Sequence, residues 1–221
     1  MSEIYLYHHL GMGDHITCHG LVRWHCQHYN KVNLFVKESN YKNVRYMYND
    51  IENINLLIGD DNYAQNYLLQ NKITNVKIIG FNNLSTSKNL ELQFYEMAGL
   101  PIDVKWNKFH INRNIQKEKE IFNQCGLEEQ NYIFIHKGDY ELKNEYIPND
   151  VKVVEPKDHG LFDWIYVIEN AKEIHCIDSS FLCLVDCMKL RDNINLYNHR
   201  YVRDYPEWIR LYTNKKWKEI K

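Results

Sequence analysis

The fold is decided first by residues 4–29, IYLYHHLGMGDHITCHGLVRWHCQHY. Residues 4–7 are a short β-prone run, and residues 11–14 form a glycine-containing turn after it. Over residues 15–29 the apolar side chains recur every three or four positions, which is the spacing of one helix face. The pattern predicts a strand, a turn and a helix, in that order.

The same alternation of short β-rich runs with helix-length segments continues along the chain. The further predicted strands are residues 32–36, 54–58, 76–79, 132–135, 151–154, 174–177 and 194–197. The further predicted helices are residues 39–48, 63–70, 90–98, 115–125, 161–170, 181–190 and 206–217. Strands that alternate with helices are joined by crossover connections, which place them parallel in a sheet covered on both faces. We therefore predict an α/β protein.

The alternation is interrupted in the middle of the chain. Residues 82–89 are polar and loop-like, and residues 105–113 lack a clear period. We therefore predict two small Rossmann-like domains, residues 1–110 and residues 111–221. Open parallel sheets bind ligands beyond the carboxyl ends of their strands, so the two sheets are expected to face a cleft.

Composition excludes several classes of protein. The chain has 221 residues, of which 44% are hydrophobic, so intrinsic disorder is excluded. Its 27 Lys and Arg against 29 Asp and Glu give no electrostatic reason to bind nucleic acid. No apolar run is long enough for a transmembrane segment, and the N-terminus does not resemble a signal peptide. The six cysteines form no CxxC pair, which favours reduced thiols and a cytoplasmic location.

The first loop that carries candidate catalytic residues is residues 8–14, which follows the first predicted strand. Gly11 and Gly13 allow the backbone to come close to a ligand, and His9 lies in the same loop. Asp14 would stand at the start of a helix, whose dipole favours the ionised carboxylate by roughly 0.3–1 kcal/mol. Such a carboxylate suits a general base, although a helix N-cap is the alternative interpretation.

Two further loops carry residues that could bind an anion. The loop after residues 132–135 carries His136, Lys137 and Lys143, and a lysine beyond a parallel strand can neutralise phosphate oxygens. Each lysine could equally be a solvated surface residue.

The third loop consists of Asp178, Ser179 and Ser180, which follow the predicted strand of residues 174–177. Small hydroxyl residues here cap the next helix, whose first N–H groups form an anion site that fits a diphosphate. A plain N-cap without a ligand is the alternative.

These segments resemble heptosyltransferases of the ADP-heptose:lipopolysaccharide type. Residues 11–14, GMGD, with the helix after them resemble the family's acid-bearing turn. Residues 162–188, in which a helix leads into a strand, the DSS turn and another helix, resemble its donor-site unit. The strand of residues 133–136 with Lys143 beyond it resembles its phosphate-contacting loop. The resemblance implies a GT-B-like fold, with two Rossmann-like domains facing a cleft.

The resemblance also implies a function. The protein would be a glycosyltransferase that moves a sugar from a nucleotide sugar to a hydroxyl of a glycan, lipid-linked or other acceptor. Asp14 would be the general base, while Lys143, Ser179 and Ser180 would hold the departing pyrophosphate and Asp178 would shape that turn. No metal or other cofactor is implied, because side chains and helix ends stabilise the leaving group in such enzymes.

Glu155 is a further candidate, since it directly follows the predicted strand of residues 151–154. A carboxylate can accept two hydrogen bonds, so Glu155 is the candidate partner of the ribose hydroxyls. His15 and His19 lie four residues apart and could pair on a metal, but no third ligand follows at a diagnostic spacing. We expect them to form a polar helix face instead.

Two other functions remain open from the sequence. One is a nucleotide-sugar epimerase or hydrolase on the same scaffold. The other is a non-catalytic protein that binds a nucleotide or a sugar phosphate.

Overall fold

The structure, a computed structural model, describes residues 2–81, 84–85, 87–140, 142, 147–148, 150–199 and 212–220. Within these residues the chain divides into two compact units. The first contains the described residues up to Asn112 together with Tyr212, and the second contains the described residues of 113–199 and 213–220. Each unit is built on its own parallel sheet.

The first unit contains a four-stranded sheet. Its strands are β1 (Glu3–His8), β2 (Lys31–Val36), β3 (Ile54–Ile58) and β4 (Val76–Ile79). They lie in the order β3-β2-β1-β4, and all the pairings are parallel. Strand β1 is therefore central, and its Ile4 and Leu6 are fully buried.

The helices of the first unit follow its strands. They are α1 (Met12–Thr17), α2 (His19–His28), α3 (Tyr41–Met47, after a 3₁₀ turn over Glu38–Asn40), α4 (Asp61–Gln70), α5 (Leu90–Ala98) and α6 (Val104–Asn107). The side chains of Asp60 and Asn89 cap α4 and α5 by accepting N–H bonds from Tyr63 and Leu92. Helix α5 ends at Gly99, whose φ of +74° is the left-handed conformation typical of a helix C-terminus.

The predicted helix of residues 15–29 is in fact two helices. Helix α1 already begins at Met12, so residues 12–14 are helical and not a turn. It ends at Thr17, with Cys18 as its C-cap at φ −81° and ψ 0°, and α2 begins directly after Cys18. Within α2, Gly20 approaches α6 so closely that a Cβ atom would lie 2.2 Å from the Val104 carbonyl oxygen. Apolar periodicity does not register this contact, because it concerns backbone packing.

The second unit contains a five-stranded sheet. Its strands are β5 (Tyr132–His136), β6 (Lys152–Val154), β7 (Glu173–Ile177), β8 (Asn195–His199) and β9 (Trp217–Ile220). Their order is β6-β5-β7-β8-β9, again parallel throughout. The helices are α7 (Ile115–Gln124), α8 (Ile165–Glu169, after a 3₁₀ turn over Leu161–Trp164) and α9 (Ser180–Cys187).

The C-terminal prediction was wrong in the described residues. Residues 206–211 lie outside them, residues 212–216 contain no helix, and Trp217 begins β9. Strand β9 pairs with β8, so a partner far away in sequence decides its conformation. No helix in the described part of the chain combines the length and apolar character needed to cross a bilayer. The predicted α/β fold with parallel sheets is confirmed.

Candidate active site

Asp14 lies in the first turn of α1, directly beyond the carboxyl end of the central strand β1. The helix is capped by Gly11, which is extended at φ −70° and ψ 149°, so Asp14 is not the N-cap. The side-chain amide of Asn40 donates a hydrogen bond of 2.8 Å to the carbonyl of Leu10 and fixes the preceding loop. Asp14 and Gly13 are partly exposed, so a carboxylate is presented at the edge of the sheet.

The carboxylate of Asp14 folds back over Gly11. A Cβ atom at Gly11 would lie 2.6 Å from Oδ2 of Asp14, which is closer than any ordinary contact. Since the backbone of Gly11 is in a region that every residue adopts, its role is to leave room for the carboxylate. The position is also the positive end of the α1 dipole, which stabilises negative charge.

His9 is held by the loop that follows β4. Its Nε2 atom accepts the backbone N–H of Phe81 at 2.8 Å, so the proton of the neutral ring lies on Nδ1. The ring also packs edge-on against Phe94, with the centroids 5.4 Å apart. Gly80, at φ +95°, makes room for it, because a Cβ there would lie 2.7 Å from Nε2. His9 thus ties the loop before Asp14 to the end of β4.

Two buried histidines lie beside Asp14. His8 and His15 are fully buried, and their ring centroids are 4.6 Å apart. Nε2 of His8 and both ring nitrogens of His15 have no hydrogen-bond partner among the described residues. Burial lowers the pKa of both rings, and the charge of Asp14 partly opposes this for His8. Both imidazoles are therefore neutral at neutral pH.

The expectation of a polar helix face with His15 and His19 was wrong. Both side chains are fully buried, and Nε2 of His19 donates to the carbonyl of His110 at 2.8 Å. In the ranges that the structure describes, no three His, Cys, Asp or Glu side chains are grouped so that they could hold a metal ion.

In the second unit, three strand ends bring predicted residues to one edge of the sheet. Strands β6, β5 and β7 are neighbours, so the residues after them meet at their carboxyl ends. Nζ of Lys137, after β5, lies 3.4 Å from Oε1 of Glu155, after β6. Both side chains are about one-third exposed, so this ion pair contributes little stability but leaves both groups accessible to a ligand.

His136, the last residue of β5, contacts the first turn of α9. Its ring lies 4.5 Å from that of Phe181, measured between centroids. Its Nδ1 atom is buried without a partner among the described residues, and burial lowers its pKa while Glu155 opposes the shift. The chain then turns at Gly138, whose φ is +56°.

Ser179 is the N-cap of α9, and the helix begins at Ser180. The Ser179 hydroxyl accepts the N–H of Leu182 at 3.4 Å, as the cap interpretation predicts. The first N–H groups of α9 have no acceptor within the helix, which suits an anion. Asp178, partly exposed, precedes the cap, and Lys143 lies outside the described residues.

Sequence reasoning missed one polar cluster in the first unit. Nζ of Lys105 lies 2.6 Å from Oε2 of Glu91, and both side chains are fully buried. The two residues belong to different helices and follow no local motif, so only an unexpected charge on an apolar helix face could have indicated them.

Comparisons with known proteins identify the fold. No protein-family model and no curated protein matches the sequence. The chain is similar to the crystal structure of a glycosyl transferase family 9 protein from Veillonella parvula DSM 2008, with a TM-score of 0.60 and 9% identity over 99% of this chain and 87% of that chain. The E. coli ADP-heptose lps heptosyltransferase II aligns with 100% of this chain and 90% of that chain, at a TM-score of 0.48 and 10% identity. The first similarity shows that the chain has the predicted GT-B-like fold.

Proposed function

We propose that this protein is a glycosyltransferase that moves a sugar from a nucleotide-diphosphate donor to an acceptor hydroxyl. One observation carries the proposal. In each unit a central strand of the parallel sheet leads into a helix, and the helix start carries Asp14 in one unit and Ser179 with Ser180 in the other. The similarity in fold to a glycosyltransferase over nearly the whole chain supports it.

Asp14 acts as the general base in this proposal. Its carboxylate takes the proton of the acceptor hydroxyl, whose oxygen forms a bond to the anomeric carbon of the sugar. The bond between that carbon and the diphosphate oxygen breaks, and the nucleoside diphosphate leaves with the electron pair. Asp14 then releases the proton to solvent. A base in hydrogen-bond reach typically accelerates such a step 10²–10⁴-fold.

The second unit binds the donor. The N–H groups at the start of α9, the hydroxyls of Ser179 and Ser180, and the ammonium of Lys143 neutralise the departing diphosphate. Asp178 shapes the turn before the cap, and Glu155 accepts hydrogen bonds from the ribose hydroxyls. No step in this sequence is assigned to a metal or to a resident cofactor.

The remaining loop residues shape the site. Gly11 and Gly13 keep space for the acceptor beside Asp14, and His9 holds that loop in place. His136 and Lys137 line the donor side. The acceptor is a glycan, lipid-linked or other hydroxyl compound, and the reaction takes place in the cytoplasm.

Nucleotide binding is the direct test of the donor site. A thermal-shift screen would use ADP, GDP, UDP and CDP with the corresponding nucleotide sugars. A ligand at about 100 times its Kd adds roughly 2.7 kcal/mol to the free energy of unfolding. The nucleotide that binds should therefore raise the Tm, and the nucleotides that do not bind should leave it unchanged. An unchanged Tm with every nucleotide would refute the donor site.

Asp14→Asn tests the base. We expect sugar transfer to fall by about 10²–10⁴-fold while the Tm and nucleotide binding stay unchanged, because the amide keeps the shape but takes up no proton. Asp192→Asn is the matched control, since Asp192 is exposed in the turn before β8. Transfer at the wild-type rate by Asp14→Asn would remove Asp14 from the mechanism.

The same assays separate the alternatives. Rapid donor consumption without any acceptor would favour an epimerase or hydrolase. Tight nucleotide binding with no turnover over a broad panel of donors and acceptors would favour a non-catalytic nucleotide-binding or sugar-phosphate-binding protein.

A further inference from the structure

Glu91 and Tyr95 of α5 form hydrogen bonds with the C-terminal end of α1, the helix that carries Asp14. The hydroxyl of Thr17, the last residue of α1, donates to Oε1 of Glu91 at 3.2 Å. The hydroxyl of Tyr95 donates to the carbonyl of Thr17 at 2.8 Å. All three side chains are at most 1% exposed, so no water competes for these bonds.

The carboxylate of Glu91 is itself fixed from its other side. Its Oε2 atom accepts from Nζ of Lys105 at 2.6 Å and from the backbone N–H of Tyr212 at 2.9 Å. Lys105 also donates to the carbonyl of Tyr212 at 2.9 Å. Both carboxylate oxygens are therefore engaged, which leaves Glu91 no alternative position from which to hold Thr17.

Helix α1 depends on such support, because it is only six residues long and cannot be stable alone. Asp14 and Thr17 are three residues apart, so they lie one turn from each other on the same short helix. A shift or rotation at Thr17 therefore moves the Asp14 carboxylate by a similar amount. Hydrogen bonds of defined direction fix such a rotation more tightly than apolar contacts, which are non-directional.

We propose that Thr17 and Glu91 are positioning residues for Asp14, and that their hydrogen bond holds the carboxylate where it reaches the acceptor hydroxyl. This inference rests on the proposed function. A misplacement of 1 Å at a reacting group can cost about 10²-fold in rate, so the loss of one such bond is expected to affect catalysis well beyond its effect on folding.

The test compares Thr17→Val with Thr17→Ser. Valine keeps the shape and burial of the side chain but removes the hydroxyl, whereas serine keeps the hydroxyl. We expect Thr17→Val to lower kcat by about 10–100-fold with an unchanged KM for the donor, because the donor binds in the other unit. Thr17→Ser is expected to retain kcat within about twofold.

A second readout follows the helix independently of activity. The N–H of Cys18 donates to the carbonyl of Asp14 at 2.8 Å, so its hydrogen exchange reports on the order of α1. Exchange at Cys18 should be faster in Thr17→Val and unchanged in Thr17→Ser. Thr74→Val, at an exposed position, serves as the control for a Thr to Val change.

The outcomes are distinct. A folded Thr17→Val protein with wild-type kcat, or one whose activity falls only in proportion to its folded fraction, would overturn the positioning role. Absence of transfer by the wild-type protein, measured first, would instead overturn the proposed function and this inference with it. A reduced kcat, restored by Thr17→Ser and accompanied by faster exchange at Cys18, would support the inference.

Discussion

Burial lowers the pKa of several histidines in this protein. His8, His15 and His19 are fully buried in the first unit. The spacing of His15 and His19 in the sequence could not distinguish a metal pair, a polar face and a buried pair, because all three use the same i, i+4 positions. Contacts with residues outside their own helices decide between these three arrangements. His15 packs on His8, and His19 stacks on Tyr48 at 4.9 Å between ring centroids.

Because His19 is buried, we expect the stability of the protein to depend on pH. Burial, assisted by the neighbouring charge of Arg23 and opposed by Asp50, lowers its pKa to about 3. The unfolded chain binds a proton at His19 below about pH 6.5, whereas the folded protein does not, so stability falls as the pH falls from 6.5 towards 3. The full effect of one such group is about 1.4 kcal/mol per pH unit.

His19→Gln isolates this contribution. Glutamine can still donate to the carbonyl of His110 but does not titrate in this range. Urea unfolding at pH 6 and pH 5 should show a loss of stability that is about 1 kcal/mol smaller in the variant than in the wild type. Equal losses in the two proteins would mean that His19 is not held neutral in the folded state.

Other residues were predictable from their local sequence. Ser179 stands directly before an apolar helix, and its role as N-cap follows from that position alone. The glycines of residues 11–14 indicated a turn that brings Asp14 to a helix start, but the helix begins at Met12 and not at residue 15. The Glu91 and Lys105 pair was not predictable, because no local pattern links two charges on separate helices.

At the scale of elements, the sequence predicted the central strands well and the edge of the second sheet poorly. Strands β1 and β7 are short, largely apolar runs with turn signals after them. This pattern is typical of a buried strand. Strand β9 contains Trp217–Ile220, WKEI, whose alternating pattern is too short to distinguish from a helix end. It becomes a strand because β8 offers a free edge and because the residues before it are anchored.

That anchor is Asp186 on α9. Its fully buried carboxylate accepts from the hydroxyl of Thr213 and from the indole N–H of Trp217, the latter at 3.2 Å. Asp186→Ala should lower the free energy of unfolding by about 1–3 kcal/mol, because two partly buried donors lose a buried carboxylate acceptor. Hydrogen exchange of the β9 amides should rise more than that of the β5 amides.

Asp192→Ala is the control, since Asp192 is exposed and its replacement should change stability by no more than about 0.5 kcal/mol. If the two variants unfold at the same urea concentration, Asp186 does not anchor the C-terminal strand.

At the scale of the whole molecule, alternation of strand and helix predicted two parallel sheets because crossover connections allow little else. The alternation could not predict the order of the strands, which depends on side-chain packing between distant segments. Contacts over long sequence distances also hold the first unit together: Lys105 and Tyr212, which both belong to it and share a hydrogen bond, are 107 residues apart. Such pairs have no signature in a single sequence.

The buried pair of Lys105 and Glu91 predicts strong energetic coupling. Lys105→Met should lower the free energy of unfolding by about 3–5 kcal/mol, because it leaves the Glu91 carboxylate buried without a counter-charge. Adding Glu91→Gln to that variant should restore part of the loss, since the amide is neutral and its oxygen still accepts from Thr17 or Tyr212. Urea unfolding of the wild type, both single variants and the double variant gives a coupling energy, expected near 2 kcal/mol.

The exposed pair of Lys31 and Glu3, with Nζ and Oε1 2.9 Å apart, is the matched control. Its side chains are 54% and 40% exposed, so the cycle of Lys31→Met and Glu3→Gln should give a coupling energy below about 1 kcal/mol. Both pairs have nearly the same separation and differ mainly in burial. A larger coupling in the buried pair therefore measures how strongly the low-dielectric interior binds α5, α6 and Tyr212 together, whereas equal couplings would show that Lys105 and Glu91 do not form this link in solution.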